Sequence, residues 1–174
     1  PSTLAVTAIG VIWIAVMTVI CVIGIELSAR IQIGLLAAEL ITLALFAVVA
    51  LVKVYTDNAL PGAIDPQLSW FNPFEIDSVS ALVSGLLLAV FIYWGWDSTV
   101  TVNEETEDSS TTPGRAAIAS TVILVLIYVL VAAAAIAYAG PKALAEDSSG
   151  DVLGLLANSV FGSDLLGKIV IIAV

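Results

Sequence analysis

Residues 79–108 read VSALVSGLLLAVFIYWGWDSTVTVNEETED, and this stretch decides the fold. Its first eighteen residues, through Trp96, are almost wholly apolar, which is marginal for crossing a hydrocarbon core that takes about 20 helical residues. Gly95 sits among bulky aromatics, Asp97 follows at once, and the rest is polar. No proline or long turn separates the halves. The pattern predicts one helix over residues 79–102, apolar then polar, broken near Gly95. Backbone that leaves the helix at membrane depth is tolerated only inside protein or beside water. The bland alternative is a continuous helix with a packing glycine and an aromatic belt at its end.

Working outward, the flanking blocks are also of membrane length. Residues 4–25 and 33–55 predict two spans joined by the polar stretch ELSARIQ, in which Glu26 and Arg30 are one helical turn apart. Lys53, near the end of the second, can snorkel to the interface. Residues 56–78 read as a loop broken by Pro61, Pro66 and Pro73, with Trp70 and Phe71 suited to the interface and Asp77 or Ser78 to capping the next helix. A fourth span is predicted over residues 116–138, after a Thr112-Pro113-Gly114 loop. Residues 140–163 form a further loop, in which DVLGLLANSVF suggests a short interfacial helix and leaves Gly150-x-x-x-Gly154 outside any span. A fifth span starts near residue 165 and is cut off at Val174 inside an apolar run. With Pro1 rather than Met at the start, the chain is expected to be a piece of a larger protein.

Composition agrees with a polytopic all-α membrane protein. The chain is 60% hydrophobic and 11% charged, with a mean hydropathy of +1.12, more apolar surface than a soluble domain of 174 residues can hide. The net charge of -10 argues against a nucleic-acid partner or a polybasic lipid-binding surface. There is no His, which removes the commonest metal ligand and proton shuttle. Cys21, the single cysteine, reads as a small packing residue. Arg30 and Arg115 fall on one side and Lys53, Lys142 and Lys168 near the other, so the positive-inside rule leaves orientation open.

Two carboxylates stand where hydrocarbon should be: Glu39, in the first half of the second span, and Asp97, at the suspected break. A bare charge at that depth costs about 2.5–3.5 kcal/mol on insertion scales, so each must be protonated, paired or facing water. Burial raises a carboxyl pKa and makes such a group a candidate proton carrier. Alternatively Glu39 is a neutral acid bonded to a neighbouring helix. The break exposes unpaired N–H and C=O groups and the ends of two half-helices, which can hold the carboxylate or ammonium of a small substrate. Phe91, Tyr93, Trp94 and Trp96 would add apolar walls and cation–π faces. Glu104, Glu105, Glu107 and Asp108 read as a solvated loop, without the spacing of a calcium loop.

FIYWGWDSTVTVNEETEDSSTTPGRAAIAS, residues 91–120, resembles the sixth-helix and following-loop signature of the amino acid–polyamine–organocation permeases. That signature is an aromatic-rich segment, Gly, one residue, an acid, a glutamate-bearing loop, Pro, a basic residue and a new span. Here these are Phe91 to Trp94, Gly95, Trp96, Asp97, Glu104 and Glu105, Pro113 and Arg115, with an additional SSTT before the proline. The resemblance implies helices four to eight of a twelve-helix permease with a leucine-transporter-type five-plus-five inverted repeat. It implies that Phe91, Ile92, Tyr93 and Trp94 line the substrate, that Gly95 is the unwinding glycine, and that Asp97 occupies a position implicated in proton coupling in some members. Glu39 falls near a fifth-helix position where some proton-coupled members carry Lys. The loop with Glu104, Glu105, Pro113 and Arg115 would be cytoplasmic.

The expected function is secondary transport of amino acids or related amines, polyamines included, across the plasma membrane by alternating access, as a symporter or antiporter. The expected partners are that substrate, the bilayer and the other helices of a full-length permease. No cofactor or metal is expected, and nothing suggests an enzyme: a nucleophile with its base, a metal cluster and a phosphate-binding set are all lacking. The rival reading is a channel-like or structural helical subunit without coupled transport.

Overall fold

The computed structural model describes residues 3–76, 78–95, 98–101, 104, 106–146, 151–162 and 167–170. Its helices are α1 (Thr3–Ile23), α2 (Ile25–Tyr55), α3 (Val79–Ile92), α4 (Ser98–Thr101), α5 (Thr112–Ala139), α6 (Pro141–Glu146) and α7 (Val152–Phe161), with two short 3-10 turns at Leu68–Phe71 and Pro73–Glu75. Among the described residues there is no strand. Among the described residues three helices are long and apolar enough to cross a membrane: Thr3–Ile23, Glu26–Tyr55 and Thr112–Ala139. The 14 residues of α3 reach only about 21 Å, short of a core about 30 Å thick.

Several local structures differ from the sequence expectation, each for a definable reason. ELSARIQ is not a joint but the opening turns of α2. The chain breaks instead at Gly24 (φ 156, ψ 152), the residue best able to leave the helix between two apolar runs. Glu26 and Arg30 are therefore a helical i,i+4 pair, 3.8 Å apart and exposed, of little energetic weight. Cys21 is exposed, its Sγ 3.8 Å from the buried Ser28 hydroxyl across that break. Thr112, Pro113 and Gly114 are likewise not a loop but the first turn of α5. Proline is favoured there because its missing N–H would be unpaired anyway. Ser78 caps α3, its hydroxyl accepting the Ala81 N–H at 3.1 Å, while Asp77 lies outside the described residues. Most of the expected fifth span also lies outside them.

The core joins α2, the end of α5 and α7. Phe46, Ala47, Ala50 and Val54 cluster with Ala134, Ala135, Ala137, Tyr138 and Ala139, and with Leu156 and Val160 of α7. Alanine dominates because apolar helices gain nothing from hiding greasy surface in lipid. They associate where small side chains let backbones approach and van der Waals contacts multiply. The loop after α2 closes over this core. Leu60 donates its N–H to the Tyr138 carbonyl (3.3 Å) and Ile64 to that of Ala137 (2.9 Å), pairing carbonyls that the helix end leaves open. Gly62 and Gly140 meet here. Gly140 has φ 79, and a Cβ on it would run into the Gly62 carbonyl.

Residues 140–163 hold α6 and α7 rather than a simple loop, and α7 packs on the bundle instead of lying free in the interface. Asp151 caps it, accepting the Gly154 N–H at 2.8 Å, so Gly154 is helical. Leu156, Ala157 and Val160 are its buried face. Lys53 does not snorkel outward. Its Nζ donates to the Ser159 carbonyl at 2.8 Å, placing a cation on the C-terminal end of α7, where carbonyls lack intrahelical partners.

Candidate functional site

Helix α3 stops at Ile92. Tyr93 takes φ -87 and ψ 5, its N–H still bonded to the Ala89 carbonyl, and Trp94 turns back to the Phe91 carbonyl at 3.3 Å. Gly95 then adopts φ 126, a conformation that side chains with a Cβ rarely take. Its carbonyl accepts the Ser98 N–H at 3.1 Å, and the short α4 follows. The carbonyls of Val90 and Ile92 receive no N–H from the described residues. They carry the partial negative charge of a helix C-terminus.

The structure separates the expected site residues. Phe91 and Trp94 stack on each other, centroids 6.2 Å apart at 20°, and both are exposed. Ile92 and Tyr93 turn toward α5 and line a groove of about 670 Å³ between α3, α5 and α7. Across it the Tyr93 ring meets Tyr128 of α5 at 5.8 Å and 56°. Sequence reading missed Tyr128. It lies inside an unbroken apolar run, and only the path of α5 past the end of α3 brings the two rings together.

Trp96, Asp97 and Glu105 lie outside the described residues. Glu39 is half-buried on α2 and does not line the groove. Glu104 and Arg115 are exposed, whereas Pro113 is buried in the first turn of α5. In the acidic loop Asp108 has φ 52 and accepts the Thr111 hydroxyl at 2.6 Å and the Ser110 hydroxyl at 3.0 Å. Those two bonds, Thr111 first, hold its carboxyl below the ordinary carboxylate value. No group of His, Cys, Asp and Glu among the described residues could hold a metal ion.

Apolar helices of membrane length, packed through alanine and accompanied by a short helix that breaks at an aromatic-flanked glycine, define an all-α polytopic membrane protein. The family model described as amino acid permease matches residues 1–174, and the chain belongs to that family, within the amino acid–polyamine–organocation superfamily. No curated protein and no solved structure matches the chain. Membership makes it a membrane transporter of amino acids in general, with a small-molecule substrate.

Proposed function

We propose that the chain forms part of a secondary active permease that moves amino acids or related amines across the plasma membrane by alternating access, coupled to protons or to exchange. One observation carries the reading: α3 ends at Ile92 and the backbone turns through Gly95 at φ 126, leaving the Val90 and Ile92 carbonyls open among the described residues. Such acceptors suit the ammonium of an amino acid, and they stand at the end of a half-helix whose dipole favours a cation. Phe91, Ile92, Tyr93, Trp94, Gly95 and Trp96 form this half of the site, and helices beyond this chain complete it. Asp97, and Glu39 with it, gains or loses a proton as the site changes sides. The loop bearing Glu104, Glu105, Pro113 and Arg115 faces the cytoplasm.

The test is counterflow in proteoliposomes holding the complete permease, preloaded with unlabelled amino acids or polyamines and given radiolabelled substrate outside. Transient accumulation of label above its equilibrium level is expected. Simple equilibration without overshoot would instead identify a channel-like or structural subunit.

A further inference from the structure

A single non-helical residue, Gly24, separates the two membrane-length helices α1 and α2. Its φ of 156 is open to glycine and rarely taken by a residue with a Cβ. No neighbouring atom lies within 4 Å of where that Cβ would stand, so rotation meets no obstacle on this side. The Gly24 carbonyl accepts the Ser28 N–H at 3.2 Å and moves with α2, which leaves the rotational freedom at φ, toward α1. The two sides of the break are held differently. α2 is fixed to α5 and α7 by the shared core and by the Lys53 bond to the Ser159 carbonyl, and the loop after α2 bonds to the end of α5. α1 buries no residue. Across the break Cys21 Sγ lies 3.8 Å from the Ser28 hydroxyl, and a thiol is a weak hydrogen-bonding partner. Ser28 is buried, and its hydroxyl also accepts the Gln32 Nε2 N–H at 3.2 Å from within α2. Parting Cys21 from Ser28 therefore gives up one weak contact and leaves the buried hydroxyl bonded.

We propose that Gly24 is a hinge about which α1 swings against a rigid unit of α2, α5 and α7, and that the Cys21–Ser28 contact is the clasp of one of its two positions. Hinges are a few element-terminal residues that absorb a large dihedral change, and glycine absorbs it at the least steric cost. The unit beside it moves whole, because a close-packed interior passes strain on instead of deforming. In the transport reading above, the hinge supplies one rearrangement of the cycle. As a property of the fold it stands without that reading.

Pulsed electron–electron distance measurements on the complete permease in nanodiscs test this, with its cysteines replaced by serine and spin labels at Ala8 of α1 and Ala38 of α2, both exposed. Two resolved distances are expected, in proportions that shift when an equimolar mixture of the common amino acids is added. Labels within the rigid unit, at Ala38 and the exposed Ala119 of α5, should give one distance throughout. Gly24→Ala has room for its methyl but disfavours the present φ, so it should change the proportions. A single, unchanging Ala8–Ala38 distance would overturn the hinge, and counterflow in that same protein would leave transport standing. Two distances without counterflow of any amino acid would keep the hinge and remove the transport reading. Cys21 is the single cysteine of the chain, so Ser28→Cys adds one thiol facing it across the break. With cysteines elsewhere in the permease replaced, oxidation by copper phenanthroline should lock the clasp and abolish counterflow, and dithiothreitol should restore it. Undiminished counterflow in fully cross-linked protein would overturn the hinge's part in the cycle.

Discussion

At the scale of single residues, the break depends on Gly95. Its φ of 126 lies where a Cβ is strained, although no neighbouring atom lies within 4 Å of where that Cβ would be. The obstacle to substitution is therefore backbone conformation and not crowding. Gly95→Leu is expected to insert normally, favour continued helix and abolish uptake. Membrane-fraction immunoblotting alongside uptake checks this, and full activity in the variant would contradict a functional break. Asp97→Asn should flatten the pH dependence of uptake, because the amide cannot carry a proton on and off. An unaltered profile would take Asp97 out of coupling. The glycine at this turn stands out in the sequence because it departs from the local rule of its surroundings; so does Asp97, which lies outside the described residues. Tyr128 violates none, being one more apolar-bodied residue in an apolar span.

At the scale of elements, helix ends determine what is held where. Lys53 ties α2 to α7 through the Ser159 carbonyl. Lys53→Met keeps most of the stem but removes the donor to a half-shielded carbonyl, so a loss of about 1–3 kcal/mol is expected. Thermal unfolding of the purified protein, with limited proteolysis near α7, measures it. The turn before α5 has a pH dependence of definite sign. Asp108 titrates below its ordinary value because Thr111 and Ser110 donate to the carboxylate. Its contribution is thus present above the ordinary carboxylate value and is lost as pH falls through the depressed one. The stability difference between wild type and Asp108→Ala should shrink on acidification into that range. A constant difference would show that the bonds do not favour the ionised form. The first turn of α5 and the Gly24 break were misplaced by sequence reading for a common reason. A proline can open a helix as readily as end one, and a polar run can remain helical when the neighbouring glycine absorbs the turn.

At the scale of the whole molecule, the bundle is held by the close approach of α2 and the alanine-rich end of α5. Ala47 and Ala137 are both fully buried in it. Ala137→Leu should force the helices apart at a cost of about 1–3 kcal/mol, the usual range for overpacking. Ala116→Leu, on an exposed turn of the same helix, should change the thermal midpoint little. Equal effects would mean that the alanine seam is not where stability resides. By itself the sequence determined that this is a polytopic helical membrane protein, because length and hydropathy act over neighbouring residues; the ends of the helices, at Gly24 and at the first turn of α5, it did not. Only the tertiary structure decided which faces meet: the alanine seam, the Lys53 tie, the seating of α7 and the Tyr93–Tyr128 groove. Helices apolar on every side carry no stripe that points to a partner, so their pairing depends on how closely particular backbones can approach.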